Sequence, residues 1–187
     1  MLTDRAANQL VGTAVETIRA RRNDFHEVLD AIEAPLYITD NQGTITYYNQ
    51  ACIDLAGRTP QVGVDRWCVT WKLFTPEGEF MPHDQCPMAV AVKEGREVRD
   101  VEAVAERPDG TRVNFVPYPT PLFDADGNLA GAVNLLLDVT EQRKPDYLRE
   151  QAERCRRLAQ GMTDPQTVEA LTLMAAKYDE QARRFSS

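Results

Sequence analysis

The segment that most limits what this chain can fold into is Gly131-Ala132-Val133-Asn134-Leu135-Leu136-Leu137-Asp138-Val139-Thr140-Glu141. Its β-branched and Leu-rich half asks for a buried position in a sheet. Its polar close can start a helix, because Thr140 can accept the orphan amide hydrogens of a first turn and Glu141 suits the positive end of the helix dipole. The run therefore reads as a strand that feeds a helix, and any fold for the chain must bury the first part and release the second.

Upstream, Leu36-Tyr37-Ile38-Thr39 and Thr44-Ile45-Thr46-Tyr47-Tyr48 flank the turn Asp40-Asn41-Gln42-Gly43, which predicts a β-hairpin. Asn49 then opens a short helix through Cys52 and Leu55 that stops at Gly57. A Trp-rich stretch from Val64 to Met81 reads as irregular, and Pro82 and Pro87 bracket the start of a helix that runs to Gly95. Strands are expected over Val98 to Glu106, Arg112 to Phe123 and Leu129 to Val139, separated by Pro108-Asp109-Gly110 and Asp124-Ala125-Asp126-Gly127 turns. Two strands, short helices and three further strands make an α+β arrangement with an antiparallel sheet of five strands.

Both ends are helical in pattern. From Thr3 to Arg22 the chain is helix-permissive, with Val11, Val15, Ile18 and Phe25 on a 4-then-3 stripe that suits a dimer seam or a helix folded onto its own sheet. Asn23 or Asp24, with Glu27 completing a capping box, marks a joint. The tail carries one stripe of Leu148, Ala152, Cys155 and Ala159 and a second of Val168, Leu171, Ala175, Tyr178, Ala182 and Phe185. Gly161 and Asp164-Pro165 divide the two, so a helical hairpin is expected. The divisions are an N-terminal helix over 1–23, a core domain over 24–143 and the hairpin over 144–187.

The core domain resembles a PAS domain. The residues that carry the resemblance are Ala34-Pro35-Leu36-Tyr37-Ile38-Thr39-Asp40-Asn41-Gln42-Gly43, then Ile45 and Tyr47-Tyr48-Asn49-Gln50-Ala51, then Pro82-His83-Asp84-Gln85-Cys86-Pro87-Met88-Ala89. Gly95-Arg96-Glu97-Val98, Arg107-Pro108-Asp109-Gly110-Thr111, Pro119-Thr120-Pro121-Leu122-Phe123-Asp124 and the Asp138-Val139-Thr140-Glu141 exit follow in the family's order. The resemblance implies a sensory or interaction module, not an enzyme, whose sheet and short helices enclose a small cavity. It also implies that a flanking helix leaves through Asp138, Thr140 and Glu141. Here Lys144-Pro145 departs from an unbroken exit helix: Pro145 removes one backbone hydrogen bond and clashes with the preceding turn, so the helix should end at Lys144 and restart.

Trp67, Trp71 and Phe74, Met88 and Val92, and Phe115, Asn134 and Leu136 are the candidates for a cavity wall, each of which also suits an ordinary core. Asn134 stands apart, since an amide within an apolar strand must find a partner when buried. The cofactor stays unknown. Haem would need an axial imidazole, and the two histidines are His26, beside the seam, and His83, in a loop ahead of the helix. A flavin photoreceptor of this fold would need an Asn-Cys-Arg-Phe-type motif, which is absent, and no Cys or His pair has zinc spacing. No nucleophile-base pair, Gly-x-Ser-x-Gly elbow or phosphate-cradling loop is present, so no catalytic residue is assigned.

Net charge of −8 with dispersed basic residues argues against direct nucleic-acid binding, and the Arg19-Ala20-Arg21-Arg22 cluster suits a solvated helix end. No apolar run approaches the ~20 residues of a membrane span. Cys52, Cys68, Cys86 and Cys155 are scattered, and free thiols in a cytoplasmic bacterial protein are expected. The expected partners are a second copy of the chain, a small molecule and a protein effector in trans, a kinase or a transcription regulator, with a ligand-free dimerisation adaptor as the first alternative and a haem- or flavin-binding redox or gas sensor as the second. The tail hairpin is expected to dock on its own domain or on a dimer mate.

Overall fold

The structure is a computed structural model that describes residues 4–20 and 25–184. Two compact units succeed one another in the chain, divided between Asp138 and Val139. The first contains the helices α1 (Asp4–Arg19), α2 (Phe25–Asp30), α3 (Gln50–Ala56) and α4 (Pro87–Glu94). Its strands are β1 (Leu36–Asp40), β2 (Ile45–Tyr48), β3 (Lys72–Phe74), β4 (Phe80–Met81), β5 (Ala103–Glu106), β6 (Arg112–Phe123) and β7 (Leu129–Asp138). They form one antiparallel sheet in the order β2-β1-β7-β6-β5-β3-β4.

Five of these strands are the expected sheet. β3 and β4 correct the reading of Val64 to Met81 as irregular, for Leu73 pairs with Met81 and Phe74 with Phe80 across a turn with Gly78 at φ +91°. Strands of three and two residues carry too little alternation to be seen against a Trp-rich background. The third expected strand is also shorter than the sequence suggested, starting at Ala103 rather than Val98. β6 explains this: β5 pairs with it only as far as Phe115, and Pro117, Pro119 and Pro121 follow at every second position. The side of β6 on which the Pro119 carbonyl accepts from the Val98 amide and the Arg99 guanidinium lacks the N–H donors that a continued ladder would need.

β7 lies between β1 and β6, and the unit's elements cover both its faces. The cluster on one face joins Tyr37, Ile45, Leu73, Met88, Phe115, Ala132 and Leu136. Over the other face lies α1, in contact with β6 and β7. Burial on both sides is why 131–137 reads as a continuous apolar run instead of alternating. The same packing corrects the seam: Val11 and Val15 are buried within the protomer, and Ile18 is half-buried. A central sheet face as apolar as Val133 and Leu135 demands a cover, and α1 supplies it. The Phe25 side chain, Thr3 and the joint at Asn23-Asp24 lie outside the described residues. Tyr118 fastens the start of α1 by donating its hydroxyl to Asp4 at 2.5 Å.

The second unit opens with a single 3-10 turn, Glu141–Arg143, followed by α5 (Pro145–Gln160) and α6 (Pro165–Arg184). Thr140 makes no side-chain cap on that turn and sits in the helical region at φ −58°, so the N-cap role read for it is not used. Lys144 is extended, at ψ 132°, and Pro145 begins a fresh helix. Ala152, Cys155 and Ala175 are buried between α5 and α6, with Tyr178 against them, and Arg156 pairs with Asp179. Asp164 heads α6 by accepting from the Thr167 amide at 2.9 Å.

Candidate functional site

One set of polar groups in the core meets at Tyr37, which is fully buried. Its cross-strand partner on β7 is Asn134, the amide expected to need a partner. The Asn134 side chain donates to the Tyr37 oxygen at 3.0 Å and accepts from the Tyr118 amide at 2.9 Å. Tyr37 in turn donates to the Trp67 carbonyl at 2.9 Å. A relay of side chains thus ties β6, β7 and β1 to the loop ahead of β3. Trp67 reaches that position only because its backbone is left-handed, at φ 69°. Its indole lies against Gly43, where a Cβ would stand 2.2 Å from the ring.

Three thiols surround the relay. Cys68 and the Thr70 hydroxyl are hydrogen-bonded at 3.2 Å, Cys52 donates to the Leu36 carbonyl at 3.2 Å, and Cys86 points at the Trp67 carbonyl from 3.9 Å. Burial raises all three thiols, Cys86 to about 12, and burial together with the nearby Cys68 and Cys86 raises Tyr37. The centre therefore offers hydrogen-bonding groups that stay protonated at neutral pH. Convergence of Cys52, Cys68 and Cys86 was not visible in the sequence, where no spacing links them. Among the described residues no group of three or more His, Cys, Asp or Glu side chains is arranged to hold a metal ion.

The candidate wall residues divide. Met88, Val92, Phe115 and Leu136 belong to this core, and Trp67 packs against it half-buried. Trp71 and Phe74 do not line it. Trp71 is 54% exposed, although Thr70 before it is buried. Phe74 alternates with the core residue Leu73 and faces away, edge-on to Phe80 and under the Arg112 guanidinium. His26 is exposed and stacks on Tyr47.

A residue that the sequence marked only as a helix start also holds the site in place. Asn49 is buried, and its oxygen accepts from the Leu36 and Cys52 amides at 3.0 and 3.3 Å. Its nitrogen donates to the Ile32 and Ala34 carbonyls, each at 2.9 Å. One amide thus joins the segment after α2, the start of β1 and the first turn of α3.

Outside the core, a cleft of about 190 Å³ opens among Arg58, Asp65, Arg66, Thr70, Trp71 and His83. Arg58 pairs with Asp65 and donates to the Val69 and Thr70 carbonyls at 3.2 and 3.4 Å. The Nε2 atom of His83 is buried there with no hydrogen-bond partner. Burial and the Arg58 charge hold the His83 imidazole below its ordinary pKa.

The family profile described as PAS fold matches residues 29–144, more than half of the chain. The chain belongs to the PAS fold family. Among solved structures it is similar to the LOV protein of Rhodobacter sphaeroides, at 14% identity and a TM-score of 0.49 over 94% of this chain and 97% of that one. The PAS domain of the fruit-fly ELK potassium channel gives 15% identity and a TM-score of 0.49 over 67% of this chain and 97% of that one. A PAS domain from Colwellia psychrerythraea gives 16% identity and a TM-score of 0.43 over 62% and 93%. No curated protein matches the chain. No helix among the described residues is long and apolar enough to cross a membrane.

Proposed function

We propose that this chain is a non-enzymatic sensory and regulatory PAS protein of bacterial signal transduction. It takes its input in the 24–143 domain and acts on a protein effector in trans, a kinase or a transcription regulator, from the cytoplasm. The observation that carries the reading is the Asn134-Tyr37-Trp67 relay. It links the helical side of the sheet to β7, the strand whose end at Asp138 passes directly to the second unit. A ligand that alters the hydrogen bonds of Tyr37 would bias β7, and through it the exit turn at Glu141–Arg143.

A second reading is a ligand-free adaptor that works through its surfaces. It is favoured by the relay's mutual satisfaction, since Asn134 and Tyr37 find their partners within the protein. In either reading the protein acts as a homodimer, through a surface other than the buried Val11 and Val15.

Native mass spectrometry beside the denatured mass separates the two. The sensory reading expects a dimer with retained extra mass, and hydrogen exchange at β7 and the exit turn that changes when that mass is removed. A dimer of bare chains whose exchange does not respond to added metabolite extract supports the adaptor. A monomer at micromolar concentration removes dimerisation from both.

A further inference from the structure

We propose that the cleft beside His83 is a binding site for a small planar organic anion, of the size of an aromatic monocarboxylate. Three features of the cleft converge on that class. The buried His83 Nε2 has no partner, and a buried polar atom left unpaired is disfavoured unless water or a ligand completes it. Trp71, a residue that is 54% exposed, lines the same cleft next to the buried Thr70. An aromatic residue so exposed is what a flat ligand covers.

Charge selects the sign. Asp65 is the one carboxylate in the lining and is spent on Arg58, and Asp84 acts on His83 from outside the lining, so the charge that the lining itself leaves over is the Arg66 guanidinium. Arg58 is fixed by two carbonyls and by Asp65, and Arg66 is fixed by the Gln42 carbonyl and the Trp67 ring. Both charges are therefore in place before any ligand arrives, which limits the ordering cost of binding. Nε2 is covered in the empty cleft, so the imidazole has to turn to uncover it; once turned, a neutral imidazole can donate from Nε2 to a carboxylate oxygen of a ligand whose ring lies on Trp71. The volume of about 190 Å³ is below the roughly 300–1,000 Å³ of drug-sized sites and suits on the order of ten non-hydrogen atoms. The proposal deepens the sensory reading by giving it a ligand class and an outer site, but binding itself does not depend on that reading.

The test is a titration of the full, isotopically labelled chain with benzoate, followed by NMR at the Trp71 indole N–H and the His83 ring, with neutral benzamide as the control. The expected result is saturable shifts at both groups with a Kd below about 1 mM, at least fivefold weaker with benzamide. Trp71→Ala and His83→Gln should each weaken binding at least tenfold while leaving the thermal midpoint within a few degrees. Absence of saturation at millimolar benzoate overturns the proposal and assigns Nε2 to a water. Saturable shifts that survive both substitutions, or that benzamide reproduces, overturn it equally. Loss of binding in both variants, without any change in amide exchange beyond the cleft when benzoate is added, supports the site and counts only against the sensory role.

Discussion

At the scale of single residues, the fold depends on two buried amides that face no solvent. Asn49 accepts from the Leu36 and Cys52 amides and donates to the Leu29, Ile32 and Ala34 carbonyls. Asn49→Ala removes a helix cap, worth about 1 kcal/mol, and strands buried amides and carbonyls that each cost about 1–3 kcal/mol. Urea unfolding should show a loss of about 3 kcal/mol with the m-value unchanged. Asn134 and Tyr37 form a coupled pair, since Tyr37 both accepts from Asn134 and donates to Trp67. Tyr37→Phe should destabilise by about 1–2 kcal/mol. In a double-mutant cycle with Asn134→Leu the two effects should fail to add by at least 0.5 kcal/mol, roughly the lower bound for groups in contact. Strict additivity would mean that the relay is not a unit.

Among elements, β1 and β7 approach each other closely at Gly131. Gly131 pairs with Asp40, and a Cβ there would lie 2.0 Å from the Thr39 carbonyl oxygen, which is backbone and cannot swing aside. Gly131→Ala should therefore open the β1-β7 ladder, with a loss of more than about 3 kcal/mol and faster amide exchange along both strands. Gly12, on α1, provides the contrast: no atom lies within 4 Å of an added Cβ. Gly12→Ala should stabilise by about 0.5–1 kcal/mol, measured as a higher urea midpoint, because alanine suits a helix interior better. Prolines act at this scale too. Those of β6 end the β5 ladder, and Pro145 separates a single turn from α5.

For the whole molecule, the concentration of protonated groups in one core sets its response to alkali. Cys52, Cys68 and Cys86 are raised by burial above an unfolded value near 8.5. Above that pH the unfolded chain gives up protons that the native chain retains, so stability present below it is lost as pH rises. Each thiol contributes a fall of about 1.4 kcal/mol per pH unit, and Tyr37 joins above about 10. Denaturant midpoints should be flat through neutral pH and fall steeply between about 9 and 11. Replacing Cys68 with Ala should make the part of that fall below about pH 10 shallower by about a third, since one of the three thiols no longer takes part.

The sequence by itself determined the elements whose signals are local. Asn49 and Gly57 bound α3, Gly95 ends α4, Asp-Gly turns separate the strands, and Pro145 restarts a helix, because capping, left-handed backbone and a missing amide hydrogen act within a few residues. It also placed Met88, Val92, Phe115, Asn134 and Leu136 in the core, where strand and helix periodicity point them. Only the tertiary structure decided what those residues meet. Val11 and Val15 have a stripe that fits a partner or a sheet equally well, and the apolar outer face of β7 settled which. Trp71 is as apolar in sequence as Trp67, yet the backbone turn at Trp67 puts one indole against Gly43 and leaves the other in solvent. The meeting of Cys52, Cys68 and Cys86 around Tyr37, and of His83 with Arg58, spans loops that carry no periodic signal. Such contacts form only when the sheet brings distant segments together and burial makes each unpaired polar group costly.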